Sequence, residues 1–340
     1  MSHAHSKKLA KHSTSLASAF ARSKHARLAS CATRRATPAR ATFSRSKAVT
    51  GSPVLCTIGD LIEDVVVWLN GELNIGSDTD SAIVRTRGGS AANVAMFGAL
   101  TGTPSRFIGQ VGNDKLGEQL CASLRESGVD VCTVAKGRTG SIVVLVQHNG
   151  ERTFLTDRGV ASQLSLFDAS HLAGVSIVHV PTYSLAHDPL ATTAIQYMLA
   201  ARTAGALISV DASSTSVLRD YDIDRYAALV ASIAPDVFLC NNDEAALLNI
   251  DSEHPMPGVE LTVIKRGALP VTAITAAGVV TEVATPQVAN IVDTTGAGDA
   301  FAAGFLPTYA SSRNIEEAIT HGNLIAARVL RSPGATLDAR

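Results

Sequence analysis

Asp293-Thr294-Thr295-Gly296-Ala297-Gly298-Asp299-Ala300-Phe301 is the most telling run of this chain. Two glycines one residue apart let the backbone aim successive N–H groups at one point, and such a point attracts an anion. The segment from Asp299 to Ala310 is rich in Ala, Phe, Leu and Gly and reads as a buried helix, whose N-terminal N–H groups and dipole add to that field. A carboxylate beside bound phosphate is repelled unless it has a task. The task that suits Asp299 is to accept a proton from a hydroxyl attacking phosphorus. Taken alone, GxGD also describes a glycine turn with an aspartate cap, so the rest of the chain has to weigh the two.

Outward from this run, strands and helices alternate from Val54 onward, the pattern of a mostly parallel α/β sheet covered on both faces. Apolar runs at 54–58, 106–111, 176–180, 207–210, 237–240 and 261–265 read as short buried strands. Helices are expected near 88–100, 114–127, 189–203, 224–234, 244–249, 299–309 and 315–330, the second ended by Gly128. Two stretches break the alternation: 64–87 and 141–155 read as β-ribbons, the second crossing an Asn149-Gly150 hairpin signal.

With 340 residues, 46% of them hydrophobic, the chain can bury one large core. Its formal net charge of −1 conceals a division. Residues 1–50 hold 11 Lys/Arg and no acid, leaving 18 Lys/Arg against 30 Asp/Glu, a net of −12, in the remainder. That acidic body argues against a nucleic-acid footprint on it, and any phosphate must be held by local dipoles, a metal and a few cations. Residues 1–50 show no sustained apolar period and are expected to be a disordered basic extension, with 51–340 as the catalytic domain. A targeting peptide for an organelle, a basic tail and a start codon placed too far upstream all fit the first 50 residues. No run of 18 apolar residues and no signal-peptide core occurs, so neither membrane spanning nor secretion is expected. Cys31, Cys56, Cys121, Cys132 and Cys240 have no metal-ligand spacing and read as reduced thiols of a cytoplasmic protein. The ten histidines are scattered, with His179 and His321 in apolar segments, and read as core or surface residues.

A second signature stands far upstream: Gly88-Gly89-Ser90-Ala91-Ala92-Asn93-Val94-Ala95. The chain carries no GxxxxGK[ST] loop, and no GxGxxG turn follows its first strand. With the run at 293–301, this signature resembles those of the PfkB, or ribokinase-like, carbohydrate kinases, and the resemblance extends from about Val54 to Ala335. It implies a three-layer αβα sandwich with a mostly parallel central sheet and a small β-lid, formed by about 64–87 and 136–158, over a sugar site. It also implies an ATP-dependent kinase that moves the γ-phosphate to a sugar hydroxyl, with Mg2+ as cofactor, potassium as a candidate activator and a homodimer joined through the lid. A nucleoside kinase of the same family, and a non-catalytic sugar- or nucleotide-binding regulator, are the alternatives.

The resemblance assigns roles residue by residue. Asp299 falls where the base stands, with Gly296, Ala297 and Gly298 as the anion hole. Asp64, which ends Gly59-Asp60-Leu61-Ile62-Glu63-Asp64, falls where an acid accepts hydrogen bonds from substrate hydroxyls, and ionised oxygens suit that work. Gly88, Gly89 and Asn93 match the sugar-side signature; the glycines allow close approach of sugar or of packing neighbours, and an amide both donates and accepts. Asn241 and Glu244 match an NxxE element in which Glu244 organises Mg2+ through its water shell, although the same pattern describes a capped helix start. Lys265 and Gly267 fit the turn under the nucleotide, Pro270 departs from it, and Lys265 reads equally as a phosphate-facing charge or an ordinary strand-end lysine. Asn323 falls near the adenine. The carbonyls of Asp293 and Thr295, with the loop Ser332-Pro333-Gly334-Ala335, match the cage of a monovalent cation. Arg158, after the second ribbon, either faces an acidic acceptor or is a solvated lid-edge residue.

Overall fold

The structure, a computed structural model, describes residues 52–147, 149, 151–332 and 334–337. The expected basic extension at 1–50, Cys31, Gly150 of the hairpin signal and Pro333 lie outside the described residues.

The elements run β1 (Leu55–Ile58), β2 (Ile62–Leu69), β3 (Ser81–Gly88), α1 (Ser90–Leu100), β4 (Ser105–Val111), α2 (Lys115–Glu126), β5 (Asp130–Ala135), β6 (Thr139–Val146), β7 (Arg152–Gly159), β8 (Ile177–Pro181), α3 (Leu190–Thr203), β9 (Leu207–Asp211), α4 (Thr215–Tyr221), α5 (Ile223–Ile233), β10 (Val237–Asn241), α6 (Asn242–Leu247), β11 (Leu261–Lys265), β12 (Val271–Thr275), β13 (Val280–Val283), α7 (Ala297–Ser312) and α8 (Ile315–Val329). Among the described residues, nine strands form one sheet in the order β13-β12-β11-β10-β9-β8-β1-β4-β5. It is parallel from β11 through β5, and β12 and β13 add an antiparallel edge.

The strands are short and apolar because both faces are covered. With a side-chain period of two, Val237 and Leu239 enter the core under α1, α2, α7 and α8, while Phe238 and Cys240 enter the core under α3, α5 and α6. Each large side chain so buried contributes roughly 1.5–3 kcal/mol. Helix α7 is apolar around most of its circumference, and its residues from Ala300 to Pro307 are all buried. That is why its sequence shows no amphipathic stripe.

A four-stranded second sheet, β3-β2-β6-β7, forms the lid, with β2 antiparallel to β3 and parallel to β6. Sequence neighbours on its strands point to opposite faces, yet Ile83 and Val84 on β3 are both exposed, as are Phe154 and Leu155 on β7. Neither lid face is fully covered by the other described residues.

The three-layer architecture and lid are as the sequence implied. Some features differ from that reading. Helix α7 begins at Ala297, two residues before the expected start, because Gly296 adopts φ 77° and turns the chain there. The antiparallel β12–β13 pair and strand β5 stand outside the expected strands; β5 and β13 are partly exposed edge strands without a continuous apolar run, and α4 is too brief to show a period.

Candidate active site

The parallel strands aim their C-terminal ends at one edge, and polar residues gather there: Asp60 after β1, Tyr183 after β8, Asp211 on β9, Asn241 on β10 and Lys265 on β11. Open α/β sheets bind ligands at this edge. A cavity of about 540 Å³ lies along it. Its lining includes Ser90, Asp211, Glu244, Lys265 and Gly296 to Asp299, and continues past Gly267 and Asn323 to the apolar Val271, Val288, Ile291 and Leu330.

The turn at 293–299 forms as its sequence suggests. Gly296 needs its positive φ, and a Cβ there would lie 2.7 Å from the Ala335 Cβ. No side chain caps α7, and although the Ala297 N–H donates to the Thr294 carbonyl at 3.2 Å, the Gly298 and Asp299 N–H groups remain for an anion. A methyl group on Gly298 would sit 3.2 Å from Lys265 Nζ, so an ammonium lies over the same turn. Lys265 is itself paired at 2.6 Å with Asp211 Oδ2. Burial disfavours its charge, but Asp211 and Glu244 outweigh this and raise its pKa. The strand-end lysine is thus a fixed charge at the cavity.

Asp299 stands in the first turn of α7. Ser90 Oγ donates to its Oδ1 at 2.7 Å and Asn93 Nδ2 to its Oδ2 at 2.9 Å. Burial lifts its pKa to about 6, against the pull of these two hydrogen bonds. Asn93 Oδ1 accepts in turn from Arg87 at 2.9 Å, so both ends of the amide expected to meet the sugar are engaged within the protein. Arg87 lies within electrostatic reach of both Asp299 and Asp64, and burial lowers its pKa to about 10. Asp64 accepts no hydrogen bond among the described residues, and burial raises it to about 6.

The glycine pair makes room for packing neighbours, one of the two roles its sequence allowed. A Cβ on Gly88 would strike the Asp64 carboxylate, 2.3 Å from its Oδ1, and one on Gly89, with φ 103°, would lie 2.2 Å from the Asp60 carbonyl oxygen. Their missing side chains make room for the segment that carries Asp64, and so set that acid near the start of α1.

Asn241 and Glu244 form a capping box on α6. Asn241 Oδ1 accepts from the Glu244 N–H at 2.9 Å and Glu244 Oε2 from the Asn241 N–H at 2.7 Å. The cap and the cavity-lining carboxylate are the same residue, and burial, followed by the charge of Asp211, raises Glu244 to about 7. Gly267 lies in the turn after β11 and Asn323 on α8, and both line the cavity.

At the expected cation cage the lid contributes a side chain that the sequence did not announce. Arg152, from the lid strand β7, donates to Asp293 Oδ1 at 2.8 Å and to Thr295 Oγ1 at 2.6 Å. A guanidinium thus already stands against the turn whose carbonyls the resemblance assigns to a monovalent cation.

Ser90, Arg87, Asp211, Tyr183 and Arg152 escaped the sequence reading as site residues. Ser90 was within reach, since it stands inside the quoted signature; Asp211 and Arg152 carry no local signal and join the site only through the sheet and the lid. Arg158 ion-pairs with the buried Asp60 and lies 4.8 Å over the Tyr183 ring. His179 is a core residue, hydrogen-bonded to Ser209 and lowered to about 4 by burial.

The description pfkB family carbohydrate kinase matches residues 55–340. A fructokinase of Klebsiella pneumoniae is 31% identical over 71% of this chain and 83% of its own. An ATP-dependent ribose-1-phosphate kinase of Halopiger xanaduensis is 31% identical over 78% of this chain and 86% of its own. Among solved structures, an adenosine kinase from Sinorhizobium meliloti superposes with a TM-score of 0.73 at 24% identity, over 84% of this chain and 96% of that one, a likeness of fold.

Proposed function

This chain belongs to the pfkB family of carbohydrate kinases, and from that membership we propose that it transfers the γ-phosphate of ATP to a hydroxyl of a small sugar. The observation that carries the reading is the Asp299 carboxylate, held by Ser90 and Asn93 at the mouth of an uncapped helix and raised to about 6. A base with a pKa near the working pH takes a proton well while remaining ionised.

In this reading the nucleotide base lies among Val271, Val288 and Leu330, near Asn323 and Gly267, and the phosphates run toward Lys265 and Gly298. Asp64 accepts hydrogen bonds from acceptor hydroxyls. Asn93 keeps the base oriented, and Asp299 takes the proton of the attacking hydroxyl. The N–H groups at Gly296, Ala297 and Gly298, with Lys265, balance charge on the transferring group. Mg2+ suits the donors present. Glu244 offers the cavity a carboxylate beside Asp211, and an ion that keeps its waters and binds phosphate needs little more. When bound, it would neutralise phosphate charge.

A homodimer joined through the lid, a catalytic body at 51–340 and a cytoplasmic setting complete the proposal. Support comes from the exposed apolar residues of the lid and from Cys56, Cys121, Cys132 and Cys240, which are free thiols. No described helix is long and apolar enough to cross a membrane.

The test is ADP release from MgATP across pentoses, hexoses, sugar acids, sugar phosphates and nucleosides, with Asp299→Asn alongside. Loss of the base is expected to cut turnover roughly 10²–10⁴-fold. Silence of the wild type across the panel, with ATP binding intact, would count against the kinase reading.

A further inference from the structure

Arg152 begins strand β7, at the edge of the lid, and its guanidinium bridges two residues of the turn that leads into the anion hole. Asp293, 8% exposed, is crowded with donors. Its Oδ1 accepts from Arg152, from the Thr295 N–H at 2.9 Å and from the Thr295 hydroxyl at 2.8 Å; its Oδ2 accepts from the Gly334 N–H at 2.9 Å. Three of the four donors converge on Oδ1, the oxygen that meets the guanidinium, and one on Oδ2. The turn that positions Gly296 to Gly298 is thus built around a buried carboxylate, which calls for a counter-charge.

The chain supplies that charge itself. A guanidinium is always protonated, and its planar fork matches two acceptors at once. An added monovalent cation would have neutral carbonyls as its expected ligands and a positive neighbour repelling it.

We propose that Arg152 replaces the monovalent cation at the 293–295 turn, so that this kinase works without potassium and the lid itself sets the geometry of the anion hole. The inference rests on the kinase reading. Arg152 is a positioning residue: it touches the turn and acts through it on the phosphate-facing amides.

The test uses the full chain, with ATP and an acceptor from the panel above, in tetramethylammonium buffer with and without potassium chloride. Wild type is expected to turn over equally in both, and its melting temperature is expected to rise no more in potassium than in sodium. Arg152→Ala is expected to lose roughly ten- to a hundredfold in turnover without potassium, the worth of hydrogen bonds to a charged group, and to regain much of it with potassium or guanidinium. The same variant should gain a potassium-specific rise in melting temperature. Arg152→Lys, which keeps the charge, is expected to stay potassium-independent.

Potassium-specific activation or stabilisation of the wild type would overturn the proposal without any variant. So would an Arg152→Ala protein indistinguishable from wild type, or one whose loss neither cation repairs. If no acceptor is phosphorylated, the kinase reading fails by itself, and the melting arm still decides the role of Arg152.

Discussion

Asp299 shows how a side chain acquires a function from its surroundings. Free in water its carboxyl would titrate at 3.8; burial takes it to about 6, and Ser90 and Asn93 limit the rise. For an acid raised in this way the fold favours the protonated form. That contribution to stability is complete below the unfolded-state pKa and is lost as pH rises through about 6. Catalysis has the opposite sign, since only the ionised form accepts a proton. We expect kcat/KM to climb about tenfold per pH unit on the acid side and to level above about 6. Glu244, raised to about 7, can add a second step to the same limb. Ser90→Ala separates the two, because Ser90 donates to Asp299. Removing a donor from a carboxylate favours the neutral acid, so the Asp299 step should move upward by up to about one pH unit, with KM for ATP little changed. An acid limb that does not move would detach Ser90, and with it Asp299, from proton transfer.

The lid behaves as an element with two uncovered faces. Phe154 is 60% exposed and Leu155 55%, although they point to opposite sides of β7. One face is turned to a ligand in our reading; the other needs a cover, and a second lid is the simplest one, since edge strands and apolar faces left open invite association. Sedimentation should give a dimer for the wild type and a monomer for Phe154→Asp, because a charge on such a face costs more to bury than the contact returns. A wild-type monomer at micromolar concentration would end the dimer proposal and leave the exposed lid unexplained. The lid also reaches the core through Arg152, whose link to Asp293 and Thr295 joins its motion to the phosphate turn.

Taken entire, the chain divides its charge, with 11 Lys/Arg and no acid in residues 1–50 and an acidic remainder. Deleting residues 1–50 should leave kcat/KM and the melting temperature unchanged, as measured on the purified truncated and full proteins; a large fall in either would make those residues part of the catalytic body. The strands of the parallel sheet were legible because each is a short apolar run between turns, and the helices because their caps and glycines mark the ends. The outermost strand β13 was not, since Val280–Val283 is half-exposed and lacks a continuous apolar run. The run from Asp293 to Phe301 was enough to fix a turn, an uncapped helix and a base, because backbone freedom at Gly296 and Gly298 and the position of one carboxylate are local properties. Which groups would serve that base was decided elsewhere. Ser90 and Asn93 lie more than 200 positions upstream of Asp299, Asp211 meets Lys265 only because β9, β10 and β11 are neighbours, and Arg152 meets Asp293 only because the lid folds over the core. Sequence determined the local geometry and the kind of chemistry; the tertiary structure alone decided the partners, because electrostatics and hydrogen bonds depend on distance in space and not along the chain.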